Sequence, residues 1–123
     1  MLSCKNGDIV LEENVNIGAN SYIFSGSTVI LRKNTLVAAY CYFIGGDHEL
    51  TDPDKSFLEQ PQVSKGIETG ENCWFGAGVK IQDGAKIGKG SVIGTGAVVT
   101  KNIPAYSVAV GLPARVVSDR KPK

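Results

Sequence analysis

One residue of this sequence is suited to acid–base catalysis by its type. His48 is the only histidine among the 123 residues, and it follows the glycine pair Gly45-Gly46. It lies between Asp47 and Glu49, and neighbouring carboxylates favour the charged form of an imidazole. A neutral imidazole accepts a proton near pH 7. His48 is therefore a candidate general base, although an isolated histidine in a surface loop more commonly has no catalytic role.

The three cysteines are weaker candidates for chemistry. Cys41 and Cys73 occupy a small position of the repeat described below, which predicts reduced thiols inside the protein rather than nucleophiles. An odd number of cysteines and reduced thiols favour a cytoplasmic protein. His48 has no convincing ligand spacing to either cysteine, so we expect no metal site.

Charge is unevenly distributed along the chain. Residues 1–79 carry five basic and ten acidic side chains, a net charge of −5. Residues 80–123 carry eight basic and two acidic side chains, a net charge of +6. The basic half suits an anionic ligand, although a solvated surface with a Lys-rich tail would explain it as well. No basic run is interleaved with aromatic residues, so nucleic acid is not expected. The sequence has no apolar run of about 20 residues and no apolar signal region at its N-terminus, so we expect no membrane span.

A six-residue repeat organises residues 69–99. Its first position, after Thr69, is apolar: Phe75, Ile81, Ile87, Ile93 and Val99. Its fourth position is Asn72, Gly78, Gly84, Gly90 or Gly96, and its fifth is Cys73, Val79, Ala85, Ser91 or Ala97. A period of six fits neither a helix nor one long strand, and it indicates a solenoid.

Each repeat position has a physical explanation. An apolar first residue and a small fifth residue fill a narrow core if the chain turns a corner after each block. Gly and Asn at the fourth position tolerate the positive φ that a corner requires. Three blocks then make a triangular turn of eighteen residues, and successive turns stack at the strand spacing of roughly 4.8 Å.

The earlier chain carries the same repeat with two interruptions. Blocks begin at Leu11, Ile17 and Ile23, with corners at Asn14, Asn20, Gly26, Asn34 and Tyr40. The phase slips by two residues at Val29-Ile30, which predicts a bulge or a wider corner. Residues 45–62 are polar with Pro53 and Pro61, which predicts an extended loop. We expect one domain over residues 1–123, with residues 103–123 capping its C-terminal end.

These repeats resemble those of the hexapeptide-repeat acyltransferases. So does the segment that follows them, G-T-G-A-V-V-T-K-N-I-P-A-Y-S-V-A-V-G-L-P-A-R. F-I-G-G-D-H resembles the segment that carries the general base in the polysaccharide and xenobiotic types of acetyltransferase in this family. The resemblance implies an all-β fold, a left-handed parallel β-helix with one extended loop at about residues 45–62. It further implies acetyl-CoA as the acyl donor and His48 as the base. Because the cysteines occupy inward positions of the repeat, we expect direct transfer without an acyl-enzyme intermediate.

The resemblance also assigns the donor-binding residues. In this family one segment borders the thioester and the pantetheine arm of the donor. The sequence that resembles it here is Cys73-Trp74-Phe75-Gly76-Ala77-Gly78. The implied donor contacts are Trp74, Gly76, Ala77, Thr95, Thr100, Lys101 and Arg115. Lys and Arg are suitable partners for the phosphates of the donor.

The acceptor is less well defined. Relatives that acetylate galactosides or maltose hold the acceptor with an Asn and an Asp, and the corresponding positions near Gly18 and Gly26 lack those side chains. The nearby candidates are Asn20, Tyr22 and Asp47. We therefore expect O-acetylation of a saccharide or another small hydroxylated compound. The alternatives are N-acetylation of an amino sugar or an antibiotic-like amine, and an inactive β-helix that serves as a scaffold or binding protein.

The resemblance and the thin core together predict a homotrimer. A single coil leaves outward aromatic residues on its faces, namely Tyr22, Phe24, Tyr40, Tyr42 and Trp74. Association of three parallel coils would bury such faces. It would also bring His48 of one copy towards the donor-binding residues of the next.

Overall fold

Every regular element of the described chain is a short β-strand. The computed structural model describes residues 1–4, 7–48 and 51–121, and for Asp47 and His48 it describes the backbone alone. In chain order the strands in these ranges are β1 (Leu2–Cys4), β2 (Ile9–Leu11), β3 (Asn16–Ile17), β4 (Tyr22–Ser25), β5 (Val29–Leu31), β6 (Leu36–Val37), β7 (Tyr42–Gly45), β8 (Asp47–His48), β9 (Gln62–Val63), β10 (Ile67–Thr69), β11 (Trp74–Phe75), β12 (Lys80–Ile81), β13 (Lys86–Ile87), β14 (Val92–Ile93), β15 (Val98–Val99), β16 (Ser107–Val110) and β17 (Arg115–Asp119).

The strands form three sheets, because the chain turns a corner after each of them. Sheet A consists of β1, β4, β7, β12 and β15, and sheet B of β2, β5, β10 and β13. Sheet C consists of β3, β6, β11, β14, β16 and β17. Pairing is parallel except between β16 and β17 and in the separate hairpin of β8 and β9. The chain visits sheets A, B and C in that order and stacks its turns in parallel, so the predicted fold class, an all-β parallel β-helix with one extended loop, is confirmed.

The core contains the residues that the repeat predicts. The first-position side chains are at most 2% exposed, namely Phe75, Ile81, Ile87, Ile93 and Val99. The fifth-position side chains are at most 1% exposed, namely Cys73, Val79, Ala85, Ser91 and Ala97. Packing is looser at the N-terminal end, where Leu11 is 39% exposed.

The corners also follow the repeat, with one exception. Positive φ angles between 57° and 88° occur at Asn14, Asn20, Asn34, Tyr40, Asn72, Gly78, Gly84, Gly90 and Gly96. Gly26 was predicted as a corner of this kind and is not one. It follows the four-residue strand β4 in a wider corner, where the chain changes direction over several residues. Tyr106, at φ 58°, is a corner that the repeat did not predict.

The turns differ in length, which corrects the prediction of eighteen residues throughout. Leu2 lies beside Ile23 and Tyr22 beside Tyr42, so the first two turns have twenty-one and twenty residues. Lys80 lies beside Val98, eighteen residues further on, as predicted. Val92 lies beside Val108, so the last turn has sixteen. The two extra residues of the second turn lie in the wide corner after β4, and these residues cause the predicted phase slip.

Thr69 is the polar exception at the first position of the repeat. Its side chain is fully buried, and among the described residues its Oγ1 has no hydrogen-bond partner. A buried hydroxyl without a partner costs roughly 1–3 kcal/mol of folding free energy. Valine has the same shape without the hydroxyl.

Thr69→Val is therefore expected to stabilise the protein by about 1 kcal/mol, which would raise the Tm by several degrees. The matched control is Thr35→Val. Thr35 is equally buried, but its Oγ1 donates a hydrogen bond to the carbonyl of Gly70 at 3.4 Å. Thermal unfolding of both variants should show opposite shifts, and a lower Tm for Thr69→Val would contradict the expectation.

Candidate active site

His48 lies in an excursion from the corner between sheets A and B. Sheet A strand β7 ends at Gly45, and the coil resumes on sheet B at Ile67. Between them the backbone of His48 pairs antiparallel with Gln62 in the hairpin of β8 and β9. The side chains of Asp47 and His48, and all of residues 49–50, lie outside the described residues. The excursion thus agrees with the predicted loop and extends slightly beyond it.

The root of this excursion is held by hydrogen bonds from both sides. Ser64 Oγ donates to the Gly45 carbonyl at 2.7 Å. The carboxylate of Asp83, in the corresponding corner of the next turn, accepts the backbone N–H of Lys65 and that of Gly66, each at 2.8 Å. The hairpin that carries His48 is therefore fixed to the coil where it rejoins. The repeat did not identify Asp83, although an Asp-Gly pair at a corner is a known turn signal.

The corners between sheets C and A stack into a column, which we call the C–A column. Its corners are residues 18–21, 38–41, 76–79 and 94–97, and successive corners are joined by backbone hydrogen bonds. Tyr40 N–H donates to Ala19, Gly78 N–H to Ala39 and Gly96 N–H to Ala77, at 2.9–3.0 Å.

Four of the predicted donor-binding residues lie at this column. Trp74 is 52% exposed on sheet C immediately before it, and Ala77 and Thr95 are exposed in two adjacent corners. A Cβ added at Gly76 would lie 2.7 Å from Thr95 N, so these corners are too close for a side chain there. The same atom at Gly96 would meet nothing within 4 Å. Between residues 76 and 97 the column is thus an exposed strip with small side chains, along which an extended chain can lie.

The remaining donor candidates divide between two edges of the coil. Arg115 lies opposite Val110 on β17, and Val110 Cγ1 would be 2.7 Å from a Cβ at Gly94, so Arg115 is near the C-terminal end of the column. Thr100 and Lys101 are exposed and follow β15 in the corner between sheets A and B. Within one chain, Lys101 and His48 therefore share one edge of sheet A, and the C–A column forms the other edge.

The two acceptor candidates with described side chains lie at the N-terminal part of the same column. Asn20 is exposed in its first corner, and Tyr22 is half-buried on sheet A. Together they line an open cleft of about 540 Å³. The other lining residues are Met1, Ser21, Tyr40 and Tyr42. We refer to it as the tyrosine cleft. The third candidate, Asp47, cannot be assigned to it, because its side chain lies outside the described residues.

The buried cysteines are poor nucleophiles, as predicted. Cys41 and Cys73 are free thiols at most 1% exposed. Burial raises the pKa of both thiols above the ordinary cysteine value, which keeps them protonated at neutral pH. Cys4 is exposed at the end of the first strand, where it lies beside Ser25 of β4.

No group of three His, Cys, Asp or Glu side chains that could hold a metal ion occurs in the described part of the chain. Within that part, no helix is long and apolar enough to cross a membrane.

Two hexapeptide-repeat family models match this chain. Residues 66–101 match the bacterial transferase hexapeptide (six repeats), and residues 8–42 match the hexapeptide repeat of succinyl-transferase. Together they span more than half of the chain. The chain therefore belongs to the hexapeptide-repeat acyltransferase family.

Individual relatives agree with this assignment. A protein named a probable acetyltransferase in Mycobacterium tuberculosis is 32% identical over 94% of this chain, which spans 38% of that relative's length. The structure of a hexapeptide-repeat acetyltransferase of Vibrio cholerae complexed with acetyl-CoA superposes with a TM-score of 0.87. It is 25% identical, and the match covers 98% of this chain and 66% of that one. The structure of a maltose O-acetyltransferase of Clostridium difficile superposes with a TM-score of 0.72. It is 28% identical, and the match covers 94% of this chain and 68% of that one.

Proposed function

We propose that this protein transfers an acetyl group from acetyl-CoA to a hydroxyl of a saccharide or another small acceptor. The observation that carries the proposal is the C–A column, a strip of exposed corners that begins in the tyrosine cleft and continues past Trp74, Ala77 and Thr95. The acetyl-CoA complex of the Vibrio cholerae relative supports the same donor. We further propose that the protein acts in the cytoplasm without a metal ion.

The proposed reaction is a direct transfer. The acceptor hydroxyl loses its proton to the His48 imidazole as its oxygen bonds to the thioester carbonyl carbon. The carbon–sulfur bond then breaks, and the departing thiolate takes up the proton that His48 holds. The oxyanion that develops on the thioester oxygen needs hydrogen-bond donors close to it. The buried, protonated cysteines give no reason to add an acyl-enzyme step.

The decisive experiment measures release of free thiol from acetyl-CoA in a panel of acceptors, together with calorimetric binding of CoA. Saturable CoA binding with acceptor-dependent thiol release supports the enzyme. Product analysis then distinguishes an ester from an amide, and so O-acetylation from N-acetylation. A parent protein that neither binds CoA nor releases thiol with any acceptor would refute the proposal and favour a scaffold.

The arrangement of the two edges gives a reason to expect a homotrimer. His48 and Lys101 belong to one edge of sheet A, whereas Trp74, Ala77 and Thr95 belong to the other. A complete site then requires the first edge of one copy and the second edge of its neighbour. Cyclic association supplies this pairing at every interface.

Light scattering should therefore give three times the chain mass of 13.0 kDa at micromolar concentration. Co-expression provides a sharper measurement. A His48→Ala chain and a chain whose column is blocked by Thr95→Trp are each expected to be inactive. Randomly mixed trimers should recover about a quarter of the parental activity, because one interface in four combines two intact edges. A monomer, or mixed trimers without activity, would contradict the shared site.

The charges of Lys101 and Arg115 are expected to bind the donor phosphates. Lys101→Ala and Arg115→Ala should each weaken CoA binding by about 1–3 kcal/mol, and more at low salt, where screening is weak. Lys89→Ala is the matched control. It removes a charge from the same basic half, where the Lys89 Nζ lies 5.9 Å from the centroid of the Tyr106 ring. Equal CoA affinity of the parent and both variants at low salt would show that the phosphates bind elsewhere.

A further inference from the structure

The outer face of sheet A carries an aromatic and cationic ladder. Tyr22 and Tyr42 are neighbours on adjacent strands, with ring centroids 6.4 Å apart and an interplanar angle of 82°. Lys80 on β12 pairs with Tyr42 on β7, and the Lys80 Nζ lies 5.6 Å from the centroid of the Tyr42 ring. The ladder joins the tyrosine cleft to the level of Ala77, where the acyl end of the donor is proposed to lie.

The lining of the tyrosine cleft is amphipathic. Tyr40 is 58% exposed and Tyr42 is 39% exposed, so both rings offer apolar faces and hydroxyls to a ligand. Asn20 adds an exposed amide, whereas the Ser21 hydroxyl is buried and donates to the Ala38 carbonyl. Aromatic faces with a few polar groups suit a sugar ring, whose C–H faces are apolar and whose edges are hydroxylated.

Among the described residues, no acidic side chain lines this cleft, although residues 1–79 carry a net charge of −5. Lys80 Nζ donates to the Gly78 carbonyl at 3.2 Å, and no carboxylate of the described residues forms an ion pair with it. By contrast, Arg32 pairs with both Glu12 and Glu68. An ammonium group with two N–H donors left beside an aromatic platform favours a ligand carboxylate.

We propose that the acceptor is a sugar acid, a pyranose ring whose apolar face stacks on the tyrosine cleft and whose carboxylate is bound by Lys80. This inference rests on the proposed function and adds the acceptor class to it. The cleft volume of about 540 Å³ accommodates one or two sugar rings. Lys80 then selects the acceptor, and its contribution to donor binding is minor.

The test compares methyl glucuronide with methyl glucoside, which differ at the carboxylate. The parent should acetylate the glucuronide with the higher kcat/KM. Lys80→Gln should lower kcat/KM for the glucuronide on the order of 10-fold more than for the glucoside, because a charge-assisted hydrogen bond is lost. Tyr42→Ala should lower both values, whereas Tyr42→Phe keeps the ring and should retain most of the activity. CoA affinity, measured in parallel, should stay at the parental value in all three variants.

Three results would overturn the proposal that the acceptor is a sugar acid. An unchanged preference in Lys80→Gln would remove the carboxylate contact, and weaker CoA binding would make Lys80 a donor-phosphate ligand instead. A parent that binds CoA but neither acetylates the glucuronide nor binds it, by saturation-transfer NMR with CoA present, would remove the acceptor class. In all three cases the acetyltransferase proposal survives, because it fails only if CoA binding and thiol release are themselves absent.

Discussion

Replacement of His48 by alanine is expected to lower kcat by roughly 10²- to 10⁴-fold, which is the usual contribution of a positioned general base. CoA affinity should stay nearly unchanged, because none of the donor candidates lies in the excursion that carries His48. His48→Asn should be similarly impaired, since an amide has the size but lacks the basicity of an imidazole. Steady-state kinetics with the best acceptor measures the effect, and thermal melts verify that both variants fold.

The pH profile of the parent protein gives an independent measurement. A base must be unprotonated to act, so kcat/KM should rise with pH through one ionisation and then level. The ordinary pKa of histidine is about 6.5, and flanking carboxylates move it upward whereas burial moves it downward. Full activity in His48→Ala, or a profile without this ionisation, would remove both the mechanism and the main reason to prefer an enzyme over a scaffold.

The second large effect is expected in the core. Phe43 and Phe75 are fully buried in adjacent turns and meet edge to face, with ring centroids 5.2 Å apart. Phe75→Ala should destabilise the protein by about 3–5 kcal/mol, because it removes a buried ring and leaves a cavity between turns. This corresponds to a fall in Tm on the order of 10–20 °C.

Phe57→Ala is the matched control for this substitution. Phe57 lies in the excursion and is 61% exposed, so its loss should change stability by less than about 0.5 kcal/mol. Calorimetry of both variants separates the coil from the excursion. Similar melting of the two variants would mean that the Phe43–Phe75 contact contributes little to the stability of the coil.

The core was predictable because it depends on local spacing alone. A residue such as Ile81 is buried wherever the turn lies along the coil, so a six-residue period identifies it. The same argument identified the corner at Tyr40, an unusual residue for a positive φ of 61°. It failed at Gly26, because the wide corner before the excursion does not follow the period.

The candidate site was only partly predictable, since it depends on which edge of the coil each residue occupies. That assignment requires the true length of every turn, and the first two turns have twenty-one and twenty residues rather than eighteen. Lys80 illustrates the difference. Its place beside Tyr42 follows from a sequence separation that includes the whole excursion, and the repeat alone does not reveal it. The side chain of His48 stays outside the described residues, so its catalytic role remains a prediction.

The stacked corners of the C–A column also limit how the protein could change during evolution. Their separation is set by the strand spacing of roughly 4.8 Å, so the distance between the cleft and any donor contact can change only in whole steps of that size. Three steps separate the corner of Asn20 from that of Thr95. Under the proposed function, gaining or losing one turn between them would displace the thioester from the acceptor by a full step. Sequence drift can therefore alter the acceptor through residues such as Lys80, whereas the number of turns must match the length of the donor.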